Sequence, residues 1–280
     1  MIKFICDFTL EESRGGAEFV DNTVIGYLGA EVVKSSELVP SKDEFYVLSN
    51  TSLMKQENLD FIRDNCKYII LEHDYKIVQS RHPWRYSDNI VPESERINYG
   101  LYENAIATFV QSDDHRKVFK DNEVPGVFIS LSCSIWSELE LNTLEMRLLN
   151  RQGQVHRTHE YAVVESDNWI KNTKQAVELC ESHKLDYKLI KANDYEPFLR
   201  GLSQYTTLVF LPLARESLCR LIVEARCLTM NVITNQNSGA WNADWYGKTG
   251  MDLIKYLRTT SRASLNIIKE TTYESITIDR

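Results

Sequence analysis

The sequence predicts an α/β fold with parallel sheets, on three observations. Short apolar segments rich in Val, Ile, Phe and Tyr alternate with helical segments along most of the chain. That alternation breaks near residue 150 and then begins again. The two halves, 1–150 and 151–280, are of similar length, and each opens on a short strand. Together these describe two Rossmann-like domains facing one another across a cleft, with ligands at the carboxyl ends of the strands.

Each element follows from local pattern. Ile2 to Phe8 is a strand, and Gly15–Gly16 leads into a helix from Ala17 to Leu28. Phe45 to Ser49 is a strand and Glu57 to Asn65 a helix. Lys67 to Leu71 (KYIIL) is a buried strand ending in Glu72, His73 and Asp74. Ala105 to Val110 is a strand, Asp114 to Asp121 a helix, and Val127 to Leu131 a strand. Ser134 to Asn150 is acidic and helix-prone, and Arg151 to His159 (RQGQVHRTH) is a polar, basic junction. The second series has strands at Tyr161 to Val164, Asp186 to Ile190, Leu208 to Leu213 and Asn231 to Thr234. Its helices are Thr173 to His183, Tyr195 to Gln204, Leu218 to Leu228 and Met251 to Leu257. No short-period repeat is present.

The bulk numbers set limits. With 280 residues and 43% hydrophobic content, the chain can fill one large core or two modest ones. A net charge of −8 makes tight, non-specific binding to nucleic acid or to an anionic membrane the exception. Cys6, Cys66, Cys133, Cys180, Cys219 and Cys227 form no CxxC pair, which points away from a zinc knuckle or a disulfide framework. Reduced cysteines and a start, MIKFICDF, that reads as a strand place the protein in the cytoplasm. No apolar run reaches the roughly 18 residues a membrane span needs.

The most informative pattern is Glu216 to Glu224 in ESLCRLIVE. The first glutamate falls in the loop after the strand LVFLPL and the second on the helix, so both can reach one ligand at the helix N-terminus. Leu218, Leu221, Ile222, Ala225 and Leu228 make the apolar stripe of that helix. Glu224 lies in this apolar setting and needs a partner, either a ribose diol or Arg220 or Arg226. Ser217 is the expected N-cap, leaving the next amides for phosphate oxygens.

Other motifs have a plain alternative each. Gly15–Gly16–Ala17–Glu18 lets a ligand approach a helix N-terminus, or is only a tight turn. Lys171 opens a helix after a strand and loop, where it can hold a diphosphate or be a solvated lysine. His73 can act as a base, donate to a sugar hydroxyl, or be structural. Tyr75 to Tyr86 (YKIVQSRHPWRY) interleaves Lys76, Arg81, His82 and Arg85 with Trp84 and two tyrosines. It is either an acceptor-side or nucleic-acid surface or a solvated loop at the cleft rim. Arg151, His156, Arg157 and His159 add to that patch or are only the junction. No DxD-type acidic pair stands out as a metal site.

The segment PLARESLCRLIVEARCLTMNVITNQNSGA resembles the donor-site segment of nucleotide-sugar glycosyltransferases of GT-B architecture, the mostly retaining group with the E-x7-E motif. The GGAE and Lys171 loops fall in the family's order. The likeness is strongest from Tyr161 to Trp245, and LEHDYKIVQSRHP is similar to short phage and bacterial members. The resemblance implies that Glu216 contacts the donor sugar, that Ser217 and Leu218 offer amides, and that Glu224 holds the ribose. It implies Lys171 on the diphosphate, Gly15 and Gly16 beneath the donor, and His73 near the sugar. Arg220 joins the donor-binding set, and Lys76, Arg81, Trp84 and Arg85 the acceptor side.

Three departures stand out. Glu165 replaces an arginine six residues before the lysine, and Arg215 or Arg220 is the candidate substitute. Ser217, Leu218 and Cys219 replace the GFG after the first glutamate. A C-terminal crossover helix is not evident in Thr271 to Arg280. The implied function is a retaining, metal-independent hexosyl- or pentosyltransferase that uses a nucleotide-diphosphate sugar and no other cofactor. Its acceptor is a glycan or a hydroxymethylated base of phage DNA. The alternative is a non-catalytic nucleotide-sugar or nucleic-acid binding module on the same scaffold. Donor identity and oligomeric state stay open.

Overall fold

The computed structural model describes residues 1–152, 159–191, 194–241 and 243–277. His156 and Arg157 lie outside these residues. The chain divides into two units, Met1–Ser137 with Thr260–Arg280, and Glu138–Thr259.

The first unit is built on a six-stranded, wholly parallel sheet. Its strands are β1 (Ile2–Cys6), β2 (Glu31–Lys34), β3 (Phe45–Leu48), β4 (Lys67–Glu72), β5 (Thr108–Val110) and β6 (Phe128–Ser130), in the order β2-β1-β3-β4-β5-β6. Helices α1 (Gly16–Leu28), α2 (Gln56–Asn65), α3 (Tyr99–Asn104) and α4 (Asp113–Asp121) connect them. Alternate side chains point to opposite faces of a strand, so strands apolar at every position bury both faces. Phe4, Val47, Ile69 and Phe109 share one cluster with Val20, Val24 and Leu28 of α1. Ile5, Tyr46, Leu48, Tyr68 and Ile70 share the other with Ile62 of α2 and Phe119 of α4.

The second unit holds a four-stranded parallel sheet of β7 (His159–Glu165), β8 (Tyr187–Lys191), β9 (Tyr205–Phe210) and β10 (Asn231–Thr234), ordered β10-β9-β7-β8. Its helices are α5 (Glu138–Gln152), α6 (Thr173–Ser182), α7 (Tyr195–Leu202), α8 (Arg220–Cys227) and the start of α9 (Gly250–Thr277). Val163 and Val209 pack with Ala176 and Cys180 of α6. The alternate positions Ala162 and Leu208 are equally buried.

The division falls at Ser137 rather than near residue 150. Helix α5 is therefore the first element of the second unit, and ion pairs hold it there. Arg147 pairs with Glu196 of α7, and Glu140 with Arg220 of α8. Arg151, expected in a solvated junction, is buried and donates to the Ser203 carbonyl at 2.9 Å.

Helix α9 corrects a second expectation. It runs 28 residues, from the second unit into the first, and supplies the long C-terminal helix that the sequence did not disclose. Hydroxyl and β-branched residues such as Thr259, Thr272 and Thr277 have weak helix propensity, which masks the continuation. Their hydroxyls bond back to carbonyls four residues earlier, as Thr272 does to Ile268 at 2.8 Å. Packing supplies the rest: Leu265 and Ile268 join the α1-side core, and the Ser261 hydroxyl accepts the Trp136 amide at 3.0 Å.

None of the six cysteines forms a disulfide. Among the described residues no helix is long and apolar enough to cross a membrane.

Candidate functional site

Each sheet has a point where the chain reverses its direction of growth, and there the loops at the strand ends diverge and leave a crevice. In the second sheet that point lies between β7 and β9. Lys171 follows β7 and Glu216 follows β9, and their side chains meet there, with Lys171 Nζ 2.7 Å from Glu216 Oε1.

The local backbone fixes both groups. Asn168 accepts the Ile170 amide at 3.0 Å and starts the short 3-10 turn Trp169–Lys171. Ile170 accepts the Leu213 amide at 2.8 Å, and Asn172 donates to the Leu211 carbonyl at 3.0 Å. The lysine loop is thereby stitched to the exit of β9. Glu216 is pinned from the other side: its amide donates to Asn237 at 3.1 Å and its carbonyl accepts from Gly239 at 2.9 Å. Burial opposes the Lys171 charge, but the Glu216 carboxylate outweighs it and holds the ammonium above its ordinary pKa.

Helix α8 begins later than expected. Its N-cap is Cys219, not Ser217, and no side chain caps it. Cys219 stands at φ 73, a left-handed conformation that costs a non-glycine residue roughly 1–2 kcal/mol. It is the last residue of the Ser217–Leu218–Cys219 tripeptide that follows Glu216. Leu218 is buried, and its carbonyl accepts the Ser238 hydroxyl at 3.2 Å.

Glu224 and Arg220 lie within a buried polar network. The Arg220 guanidinium is ion-paired with Glu140 of α5, so one of the two charges expected to replace the arginine, the other being Arg215, is already neutralised. Glu224 is 5% exposed and lies beside Tyr195, the first residue of α7. Burial pushes its carboxyl up to about 8, against the pull of Arg220 and with Glu140 adding to the rise. Glu165, in the arginine's place, pairs loosely with Lys191 at 3.7 Å.

The first unit carries its own cluster at the strand ends. His73, just past β4, sets Nε2 2.7 Å from Asp21 Oδ1, and the Ser49 hydroxyl donates to Asp21 Oδ2 at 2.7 Å. Glu18 lies beside them, and burial raises its carboxyl. Its carboxylate folds back to accept the Gly15 amide, the glutamate half of a capping box whose N-cap glycine has no side chain to return the bond. A Cβ on Gly15 would stand 2.5 Å from Glu18 Oε2. Gly15 thus makes room for the chain's own carboxylate at the positive end of α1, where the sequence suggested a ligand anion. Gly16 is the first residue of that helix.

The basic–aromatic segment does not form an open cationic surface. Lys76 is buried, its Nζ 2.6 Å from the fully buried Glu72. Tyr102 donates to the other Glu72 oxygen at 2.6 Å. Arg81 pairs with Asp74 at 2.8 Å and contacts Ser52. Tyr75 is a core residue. Arg85 remains exposed, 6.0 Å from the Trp84 ring, whose buried Nε1 has no hydrogen-bond partner. Lys76→Ala should accordingly act on stability, not on recognition. It strands the Glu72 carboxyl in the core, and denaturant unfolding at pH 7 should show a loss of about 3 kcal/mol. A mutant as stable as wild type would show that the pair is not the buried anchor the geometry describes.

Asp21, Ser49, Glu140 and Tyr195 were missed from sequence. A signal for Asp21 did exist: it occupies the same stripe of α1 as Val24 and Leu28, where a carboxylate is costly without partners. Among the described residues no group of three or more His, Cys, Asp or Glu is placed to hold a metal.

No protein-family profile matches the chain, and no curated protein matches it by sequence. Solved structures do match. HepE of Anabaena, crystallised with UDP and glucose, aligns over 97% of this chain and 91% of its own, at TM-score 0.53 and 13% identity. The α,α-trehalose 6-phosphate synthase of Burkholderia multivorans aligns over 93% and 74%, at TM-score 0.52 and 8% identity. These neighbours are GT-B glycosyltransferases. The chain has the GT-B fold. At such identities the likeness is one of architecture, and the GT-B fold leaves the chemistry to be argued from side chains.

Proposed function

We propose that the protein transfers a glycosyl group from a nucleoside-diphosphate sugar to an acceptor hydroxyl. The observation that carries this reading is the Lys171–Glu216 pair at the reversal point of the second sheet. A lysine there supplies positive charge to the departing diphosphate, the largest charge that develops as the glycosyl–oxygen bond breaks. Glu216 binds a sugar hydroxyl and, before the donor arrives, keeps the lysine charged and in place. Ser217 and Leu218 lie in the same loop for backbone contacts. Glu224, which keeps its proton near neutral pH, can both donate to and accept from a ribose diol.

The reaction is proposed to run with retention and without a metal ion. The acceptor is proposed to be a sugar hydroxyl of a glycan. The sequestration of Lys76 and Arg81 in ion pairs argues against a DNA surface in that segment. The second reading, a binding module without turnover, is favoured by Glu165 standing where an arginine is expected and by Arg220 being neutralised.

Thermal unfolding with and without uridine diphosphate tests the donor site. A ligand present at 100 times its Kd stabilises by about 2.7 kcal/mol, a shift readily seen in Tm. No shift at millimolar nucleotide would remove the proposal. A shift without transfer from UDP-sugars to any acceptor glycan would leave the binding-module reading.

A further inference from the structure

The donor-site reading above assigns no cation to the phosphate next to the ribose, and the following rests on that reading. Lys171 is engaged by Glu216 and serves the departing phosphate, while Arg220 is engaged by Glu140. In a parallel sheet, ligands meet the chain at the carboxyl ends of the strands, and a further cation belongs there.

Two neighbouring strands of the second sheet end on opposite charges. Glu165 is the last residue of β7 and Lys191 the last of β8, and the two are direct partners in the parallel register. Neighbouring strands lie about 4.8 Å apart, so Lys191 sets a positive charge one strand away from the carboxylate of Glu165. Their ion pair is loose. Nζ stands 3.7 Å from Oε2, beyond hydrogen-bonding distance, and the side chains are 66% and 40% exposed. Exposed pairs of this kind contribute little, so Lys191 leaves its partner at small cost. The Arg220–Glu140 pair, with side chains 10% and 4% exposed, does not open so cheaply.

The surroundings of Lys191 say which phosphate it meets. On one flank is β7, whose following loop carries Lys171 to Glu216. Beyond Lys191 the chain enters α7 at Tyr195, which lies beside the ribose candidate Glu224. Lys191 is thus flanked by the strand that leads to the diphosphate lysine and by the helix that reaches the ribose group. In a nucleoside diphosphate the group joining those two points is the α-phosphate. All of these residues belong to the second unit.

We propose that Lys191 is a donor-binding residue that exchanges Glu165 for the α-phosphate of the nucleotide. The flexible four-carbon stem of a lysine suits such an exchange, since its ammonium binds as a point charge without a fixed fork geometry.

Calorimetric titration with uridine, uridine monophosphate and uridine diphosphate tests this without any activity assay. Lys191→Ala should weaken the mono- and diphosphate alike, by about 10-fold, and leave uridine and Tm nearly unchanged. Lys171→Ala should weaken the diphosphate far more than the monophosphate, which separates the two lysines. Lys191→Arg should keep most of the affinity. Glu165→Gln should tighten the monophosphate in the wild-type background and do so less in Lys191→Ala. Unchanged monophosphate affinity in Lys191→Ala overturns the proposal. So does a loss that extends equally to uridine, which marks a structural effect. Equal gains from Glu165→Gln in both backgrounds overturn the exchange. Should the wild-type protein bind no uridine diphosphate, the donor-site reading itself fails. Should it bind, with Lys191→Ala matching it on all three probes, only the role of Lys191 fails.

Discussion

Glu216→Ala is expected to abolish glycosyl transfer, and Lys171→Ala to lower kcat/KM by about 10²–10³-fold, the range for removing one preorganised charge-stabilising group. The two effects should not add. The side chains are 2.7 Å apart, and residues in direct contact couple by roughly 0.5–3 kcal/mol in double-mutant cycles. Removing Glu216 takes away the lysine's tether as well as the sugar contact. Lys171→Ala should therefore cost less in the Glu216→Ala background, provided residual turnover can be measured. Glu216→Gln separates the roles: it keeps a group able to bind a sugar hydroxyl but removes the charge that holds the ammonium. Intact turnover by Glu216→Ala would remove Glu216 from the site. Equal costs of Lys171→Ala in both backgrounds would show that the pair acts independently, against the geometry.

The cation supply sharpens this expectation. Of the residues expected to share the diphosphate charge, Arg220 is neutralised by Glu140, and Glu165 stands in the arginine's place. Lys171 is then expected to carry more of the electrostatic work, with Arg215 the remaining one of those candidates to share it. Its loss belongs at the upper end of the range.

The legibility of the chain differs by element for physical reasons. Strands β3, β4 and β10 and helices α1, α2, α4 and α6 fall within about two residues of their expected bounds, because apolar periodicity and glycine or charged ends mark them. Strand β2 was missed: EVVK is four residues long, edge-placed and half exposed, so it carries little burial signal. Helix α9 was cut short because its hydroxyl residues lower local propensity, and packing on the first core overrides that. At the site, the strand pattern along the chain placed Lys171 and Glu216 just past strand ends. It could not show that Glu18 caps α1 or that Lys76 turns inward to Glu72. Those facts depend on side-chain direction and on partners distant in sequence. Glu140 and Arg220 lie 80 residues apart, and neither position alone announces the other.

Glu224 gives the clearest expected dependence on pH. Burial, with Glu140 reinforcing it and Arg220 and Tyr195 opposing, raises its carboxyl from an ordinary 4.5 to about 8 in the folded protein. Between those values the folded state holds a proton that the unfolded chain has released. Stability must then fall as pH rises through the window. The proton-linked stabilisation is fully present below about 4.5 and gone above about 8. At about 1.4 kcal/mol per pKa unit, and allowing for relaxation of the site, the loss should be about 2–5 kcal/mol. Glu224→Gln carries the same shape with no titration. The difference in unfolding free energy between wild type and Glu224→Gln, measured from pH 4.5 to 8.5, should decline across that span and flatten beyond it. A constant difference would mean that Glu224 is ionised inside the fold, held by Arg220 against burial. The same variant also tests the ribose role. A neutral amide can still donate and accept, so Glu224→Gln should keep most of its affinity for uridine diphosphate, whereas Glu224→Ala should lose it. Equal affinity in both variants would confine Glu224 to its network with Tyr195 and Arg220.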